Sequence, residues 1–336
     1  MQAKINIITP VYNGAHLIHR LLDSVLIQTY SNISMYVIDD GSTDSTKSVI
    51  KKYIPLFNSR GYELHYIYQE NSGQSAALNN GLKYVDGDFL LWPDADDWYK
   101  TNNAIEIMAQ VIQHMGDDVG IVRCQIEYIA EDMKWLKRTA FAPCNTPSDL
   151  LEEAIYQNNG FVYAPIEWII KVKYLDDFIP NREIFVNKYA GQNAQILLPY
   201  LCYSKCVTIN KILACYLVRD TSHSHSMRPY ELSMAYDQAI LDTFVETLSQ
   251  LKGIDEEKRA EYINARRKFY YEHFFNYDYD FDRTNEFRKH YREAIQYGLP
   301  IGKRLRRLWY WTYIFNIKMY KQLAIFIHRI KKVCYI

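Results

Sequence analysis

The chain has 336 residues, 49% hydrophobic and 23% charged, with 39 basic and 39 acidic residues that give a formal net charge of zero. That balance excludes disorder over most of the length and supplies no global attraction for nucleic acid, and the length allows one large domain or one domain with an appendage. Six scattered cysteines without a CxxC pair read as reduced thiols filling the core, and neither a secretory signal at the start nor an apolar run of transmembrane length is present.

Predicted elements alternate strand and helix through the first third. Residues 5–9 read as a strand, and residues 15–28 carry helical apolar spacing at Leu17, Ile18, Leu21, Leu22 and Val25. A second strand at 34–38 leads into a helix over 44–57, where Ser42, Thr43 and Asp44 supply capping side chains. A third strand at 63–68 precedes Asn71-Ser72-Gly73-Gln74-Ser75 and a helix through Leu82; a fourth strand covers 88–92. Repeated β-α units of this length predict a parallel, doubly wound α/β sheet with right-handed crossovers. The middle is less regular, with a helix at 104–114, a strand at 120–128 and a helix at 148–156. From residue 227 the composition turns helical, over 231–251 and 256–275, and residues 270–281 are crowded with aromatics. This divides the chain into 1–226 and a helical region, 227–336.

Two acidic clusters follow strands: Asp39-Asp40-Gly41-Ser42-Thr43-Asp44 and Asp94-Ala95-Asp96-Asp97. Strand ends are where open α/β sheets bind ligands. A lone D-x-D triplet arises about once by chance in a chain this long, and the ordinary reading of such acids is solvated loops and caps. Two clusters at one sheet edge repel each other unless a cation or a hydrogen-bonding ligand offsets them, which points to a divalent metal beside a polar ligand. A nucleotide diphosphate leaving group gains charge as its bond to a sugar breaks, and Mg²⁺ or Mn²⁺ on one or two carboxylates stabilises that charge. An aspartate can also accept the ring N–H of a base such as uracil.

Thr9-Pro10-Val11-Tyr12-Asn13, Gln28-Thr29-Tyr30, the first acidic cluster, Asn71 to Ser75 with Asn79 and Gly81, and Gly87-Asp88-Phe89 leading to the second cluster stand in the order and spacing of family 2 glycosyltransferases. The chain resembles that family strongly over residues 3–130. The resemblance implies a GT-A fold, with a mostly parallel sheet flanked by helices, and inverting transfer from a nucleotide-activated sugar with Mn or Mg. Carried over by position, Pro10, Tyr12 and Asn13 line the base and ribose pocket, and Asp40 meets the base. Asp94 lies near the ribose or a metal-bound water, and Asp96 is the metal ligand. Gly73, Gln74 and Ser75 approach the ribose or donor sugar. His223 and His225 match a late segment that completes the metal shell or touches the diphosphate, and Arg219 is a phosphate contact. Leu78 stands where the family often carries Arg.

One departure concerns the catalytic base. Relatives supply it from a Gly-Glu-Asp motif, but the matching position here reads Gly191-Gln192-Asn193. Amides take no proton at neutral pH. Either the correspondence with the motif is shifted, or the base lies elsewhere, with Glu183 favoured over Asp176, Asp177 and Glu167, or Gln192 and Asn193 only position the acceptor. The tail, residues 300–336, holds nine basic residues and no acid, interleaved with Trp309, Tyr310, Trp311, Tyr313, Phe315 and Phe326. Such a segment suits an anionic membrane surface, although aromatics at helical spacing more often pack on their own core. The expected protein is a cytoplasmic enzyme, peripheral at the inner face of the membrane, that adds sugars to a glycan or polyprenyl-linked acceptor in capsule or other surface polysaccharide synthesis. No nucleic acid is expected as a partner. Two rivals remain: a nucleotidyltransferase, disfavoured because Val11-Tyr12-Asn13-Gly14 is no Gly-rich phosphate loop, and a nucleotide-sugar binding protein without transferase activity.

Overall fold

A computed structural model describes residues 2–139, 141, 144–187, 189, 191–219, 228–314 and 316–334. Strand β1 (Ile5–Val11) is buried along its whole length because both of its faces are covered. Ile5, Ile7 and Val11 share a core with Ile18, Leu21, Leu22 and Val25 of α1 (Ile18–Leu26). Then follow β2 (Ile33–Asp40), α2 (Thr46–Ser59), β3 (Glu63–Gln69) and α3 (Gln74–Leu82). Helix α3 lies close on the other face of β1. A Cβ added to Gly81 would stand 2.4 Å from Ile8 Cγ2, so only glycine permits that approach.

Next in order are β4 (Phe89–Leu91), β5 (Trp98–Tyr99), α4 (Ala104–His114), β6 (Val119–Ala130), β7 (Trp135–Arg138), β8 (Cys144–Ser148) and α5 (Leu151–Tyr156). Strand β9 (Trp168–Lys171), short α6 (Leu175–Phe178), α7 (Asn193–Tyr203) and β10 (Lys205–Val218) complete the unit. The ten-stranded sheet has the order β3-β2-β1-β4-β9-β6-β10-β5, with β7 on β6 and β8 on β10. The parallel half, β3-β2-β1-β4, is the part the apolar runs predicted. Strand β9 joins it antiparallel between β4 and β6, so the whole sheet is mixed. Strands β1, β2 and β4 point the same way, and their C-terminal ends therefore deliver Tyr12, Asp40 and the second acidic cluster to one edge.

At the opposite end of these strands stands Asn6, a fully buried amide near the start of β1. Its Oδ1 accepts the N–H groups of Asp86 (3.0 Å) and Gly87 (2.6 Å), and its Nδ2 donates to Asp86 (3.2 Å). These bonds lock the turn that feeds β4.

The chain forms two units, residues 1–227 with 249–252 and residues 228–248 with 253–336. The second is helical: α8 (Tyr230–Gln250), α9 (Glu256–Asp280), α10 (Thr284–Gln296), α11 (Lys303–Ile314) and α12 (Ile317–Cys334). The aromatic run of α9 forms its interior, where Phe274, Phe275 and Phe287 are buried. Arg266 is buried with them over the Phe244 ring at 4.0 Å, and Tyr230 and His290 both bond the buried Asp278 carboxylate at 2.7 Å. Part of the tail packs into this unit: Trp309 stacks on Tyr291 at 4.3 Å, and Leu308, Thr312 and Ile317 are buried. Among the described residues no helix is long and apolar enough to cross a membrane.

Replacing Asn6 by Leu should keep the volume while leaving two backbone N–H groups without their acceptor, at a cost of about 1–3 kcal/mol. Urea unfolding would show a lowered midpoint at unchanged slope; an unmoved midpoint would refute the role given to this amide.

Candidate active site

The first acidic cluster is organised by bonds from two neighbouring loops. Asp39 accepts the Ser42 N–H (2.8 Å) and the Tyr66 hydroxyl (2.6 Å). Asp40, 4% exposed, accepts the Ser72 N–H and the Gln69 amide on Oδ1 and the Gly73 N–H on Oδ2, all within 2.9 Å. Three of a carboxylate's roughly four acceptor positions are thus taken. Gly73 reaches Asp40 with φ +92, a left-handed backbone that favours glycine. Asp44 holds the start of α2 by accepting from Thr46 N (2.9 Å), and it also accepts from Ala15 N (3.1 Å). Burial alone would raise its pKa, but the bonds from Thr46 and Ala15 outweigh that and hold it below the usual range.

Asn13, at φ +49, is the clamp between β1 and this loop. Its N–H donates to Ser42 Oγ (2.9 Å), and its Oδ1 accepts from Thr43 N (2.8 Å) and Asp44 N (3.3 Å). Beside it the Tyr12 ring is 55% exposed at the edge, while Pro10 is buried inside β1 opposite Ile38.

Each acid of the second cluster has a different partner. Asp94 Oδ1 accepts the Gln74 amide (2.7 Å) and, more distantly, the Gln192 amide (3.5 Å). Burial, then repulsion from Asp96, pushes the Asp94 carboxyl up to about 7 despite those bonds. Asp96 pairs with Arg219, whose Nε and Nη2 both donate to Oδ2 at 3.0 and 2.6 Å. Asp97, 1% exposed, accepts the Leu217 N–H at 2.9 Å, and its other oxygen is buried without a partner among the described residues. Burial and the neighbouring Asp96 and Asp94 hold its carboxyl well above the ordinary value.

The two clusters meet through consecutive residues: Gly73 bonds Asp40 and Gln74 bonds Asp94. Ser75 follows, fully buried in the first turn of α3. Gln192 and Asn193 sit at the N-terminus of α7, with Gln192 against Asp94 and the Asn193 amide donating to the Tyr163 carbonyl at 2.8 Å. The side-chain carbonyl oxygens of both are buried and have no donor among the described residues. Glu183 is exposed, one residue before Ile184, whose N–H and C=O both bond Asn79 of α3 at 2.9 Å. Asp176 is paired with Arg182 at 2.7 Å. Glu167 is fully buried, and that burial holds its carboxyl well above the ordinary value, with Arg123 opposing the shift. Leu78 is buried core. His223 and His225 lie outside the described residues.

Sequence reasoning did not find Gln69 and Tyr66 as partners of the first cluster, nor Asp97 as the anchor of β10. The signal for Gln69 is register: it stands opposite Asp40 across β2 and β3, a pairing that no single segment specifies.

A buried acid whose folded state prefers the proton lowers stability as pH rises from its ordinary value toward its folded one. For Asp94 that window runs from 3.8 to about 7. Asp94→Asn keeps an oxygen for both glutamine amides and removes the charge. In chelator-treated buffer it should match the parent protein at pH 4 and exceed it at pH 8 by roughly 2–4 kcal/mol. Denaturant titrations at the two pH values test this, and a variant less stable at pH 8 would contradict it.

Comparison with known proteins agrees with this geometry. The family model for glycosyl transferase family 2 matches residues 6–178. Glycosyltransferase GlyG of Streptococcus pneumoniae is 26% identical over 281 residues, covering 80% of this chain and 88% of GlyG. GlyA of the same organism is 36% identical over 114 residues, 34% of this chain but only 16% of GlyA. An uncharacterized glycosyltransferase of Rickettsia typhi is 38% identical over 125 residues, 37% of each protein, so the chain spans a minor part of those two relatives. Among solved structures, S. aureus TarS 1-349 in complex with UDP-GlcNAc superposes with TM-score 0.61 at 18% identity, covering 92% of this chain and 79% of that one. A mannosyltransferase of Pyrobaculum calidifontis with GDP-Man and Mn²⁺ gives TM-score 0.53 at 16% identity over 81% of this chain and 70% of that one. At such identities the likeness establishes the fold, the GT-A arrangement, and the family match establishes the rest: this chain belongs to glycosyl transferase family 2.

Proposed function

We propose that the protein transfers a sugar, with inversion, from a nucleotide-sugar donor to a glycan or lipid-linked acceptor in cell-surface polysaccharide synthesis. The observation that carries this is the junction at Gly73 and Gln74, which joins Asp40 to Asp94 at one sheet edge, the two acids to which the resemblance gives the base and the metal-side roles. Among relatives of the same fold, the TarS structure holds UDP-GlcNAc and the mannosyltransferase structure holds GDP-Man with Mn²⁺.

In this reading the remaining acceptor position of Asp40 takes the ring N–H of the base, which makes a uracil nucleotide the favoured donor. Tyr12 lies along the base, and Asn13 holds the loop that shapes the pocket. Asp96, with Asp94 beside it, would hold Mn²⁺ or Mg²⁺. The donor set fits such an ion: hard carboxylate oxygens, a surplus of acidic groups, and an Asp97 oxygen left without a partner among the described residues. Among the described residues no group of three His, Cys, Asp or Glu side chains surrounds one point, so phosphate oxygens and water would complete the shell. When bound, the cation offsets the charge that grows on the leaving diphosphate.

The acceptor side is built from amides. Gln192, whose amide lies against Asp94, and Asn193 beside it position the acceptor at the start of α7. Proton removal falls to a carboxylate, and we assign it to Glu183, exposed on the segment that leads to α7. Attack from the face opposite the nucleotide then inverts the anomeric centre.

Two variants test the roles. Asp96→Asn should lower transfer by at least about 100-fold with Mn²⁺ and abolish the metal-dependent thermal stabilisation by UDP-sugars. Glu183→Gln should lower kcat by about 100-fold or more while that stabilisation persists. Full activity of the first would end the metal assignment, and full activity of the second would move the base elsewhere. Donor binding without turnover in the parent protein, across glycan and polyprenyl-linked acceptors, would favour a binding protein.

The outer face of the tail supports membrane contact at the cytoplasmic leaflet. Lys303, Arg304, Arg306 and Arg307 are exposed on α11 with Tyr310, and α12 exposes Met319, Leu323 and Ile325. Basic side chains flanking exposed apolar ones suit anionic headgroups. Vesicle co-sedimentation should show binding to phosphatidylglycerol that falls with salt and is lost when Lys303, Arg304, Arg306 and Arg307 are all changed to Gln. Binding unaffected by those changes would leave the tail as core alone.

A further inference from the structure

Asp96 already has a cation in the free protein. Arg219 donates twice to Asp96 Oδ2, through Nε at 3.0 Å and Nη2 at 2.6 Å, and the two side chains are only 19% and 18% exposed. The pair is held in place from both sides. Strand β10 sets Cys215 and Ala214 against Trp98 and Tyr99, immediately after Asp97. Asp97 then takes the Leu217 N–H at 2.9 Å. Two residues later, Arg219 is brought back onto Asp96, so the anchoring bond of Asp97 and the ion pair of Asp96 belong to one construction.

An oxygen that accepts two charge-assisted N–H bonds has little electron density left to offer a metal, and a guanidinium beside a dication is repelled. The two cations therefore exclude each other at Oδ2. We propose that Arg219 is a resident counter-ion of Asp96 which a divalent metal must displace, and that the released guanidinium then pairs with the phosphate oxygens arriving with that metal. The inference rests on the reading of Asp96 as the metal ligand. Its geometry suits both partners, because a planar guanidinium forms paired bonds with carboxylate and phosphate alike.

The consequence is an order of binding. Alone, the metal meets a site whose competent form is only fractionally populated, and its apparent affinity falls by that fraction. Together with a diphosphate it meets an arginine that gains a new partner, so metal and nucleotide strengthen each other's binding. No lid or loop closure is needed for this coupling; one side chain changes partner.

Manganese titrations followed by electron paramagnetic resonance of free Mn²⁺, on the whole chain without nucleotide, measure the competition directly. Arg219→Gln should bind Mn²⁺ about tenfold more tightly than the parent protein, and Arg219→Lys, which keeps charge but not the paired geometry, should fall between them. With UDP present the order should reverse, Arg219→Gln becoming the weakest. An unchanged or weakened Mn²⁺ affinity in Arg219→Gln, with Asp96→Asn losing the ion, overturns the counter-ion role and leaves the metal assignment standing. If Asp96→Asn binds Mn²⁺ as the parent does, in either background, the metal assignment fails and this inference with it. Circular dichroism melts of each variant confirm that the comparison is made on folded protein.

Discussion

Four carboxylates, Asp40, Asp94, Asp96 and Asp97, are carried to one sheet edge, and the repulsion among the last three is the constraint around which that edge is arranged. Each is compensated by a different segment. Asp40 takes the N–H groups of the loop before α3, Asp94 takes two glutamine amides, Asp96 takes Arg219, and Asp97 takes the end of β10. Charges a few ångströms apart in a partly desolvated site interact by several kcal/mol, enough to fasten loops distant in sequence onto the same place. The acids are ligand-binding groups in prospect and structural tethers in fact, since they join α3, α7 and β10 into one rim.

That arrangement leaves the site strained in an electrostatic sense. Asp94 and Asp97 both prefer the proton in the folded protein, which means that the free enzyme carries a cost that a nearby positive charge relieves. The same surplus explains why the resident arginine is present at all. One positive side chain, Arg219, stands among three neighbouring acids and bonds Asp96 directly. The amides at Gln192 and Asn193 fit this picture: acids there would have added repulsion beside Asp94, whereas the Gln192 amide donates to it and the Asn193 amide donates to the Tyr163 carbonyl.

The helical unit obeys a different rule. The aromatic run in α9 is interior packing, with Phe274 and Phe275 buried and Arg266 among the rings, and it needs no ligand to explain it. Its tail divides by face: Leu308, Thr312 and Ile317 are buried and Trp309 stacks on Tyr291, while Tyr310, Met319, Leu323 and Ile325 remain outside. Composition shows a basic, aromatic segment; only packing shows which aromatics are spent on the fold.

Much of the parallel half was legible from apolar runs alone. Helix α4 coincides with its predicted span, and β1 to β3 and α1 to α3 differ from theirs only at the ends, because buried strands and amphipathic helices announce themselves by local period. Strands β7, β9 and β10 and helix α7 were not anticipated: their place depends on neighbours far away in the chain, and β10 is long, bulged and paired on both sides. For the site, residue types at strand ends determined which chemistry is available, oxygen donors for a hard cation and a nucleotide, along with the amides where an acid was expected. Tertiary structure decided the pairing: Gln69 opposite Asp40, Gln74 and Gln192 on Asp94, Arg219 on Asp96 and Leu217 on Asp97. A side chain's type is a local property, whereas the partner that balances its charge is set by sheet register and crossover geometry, which link segments from 20 to 123 residues apart.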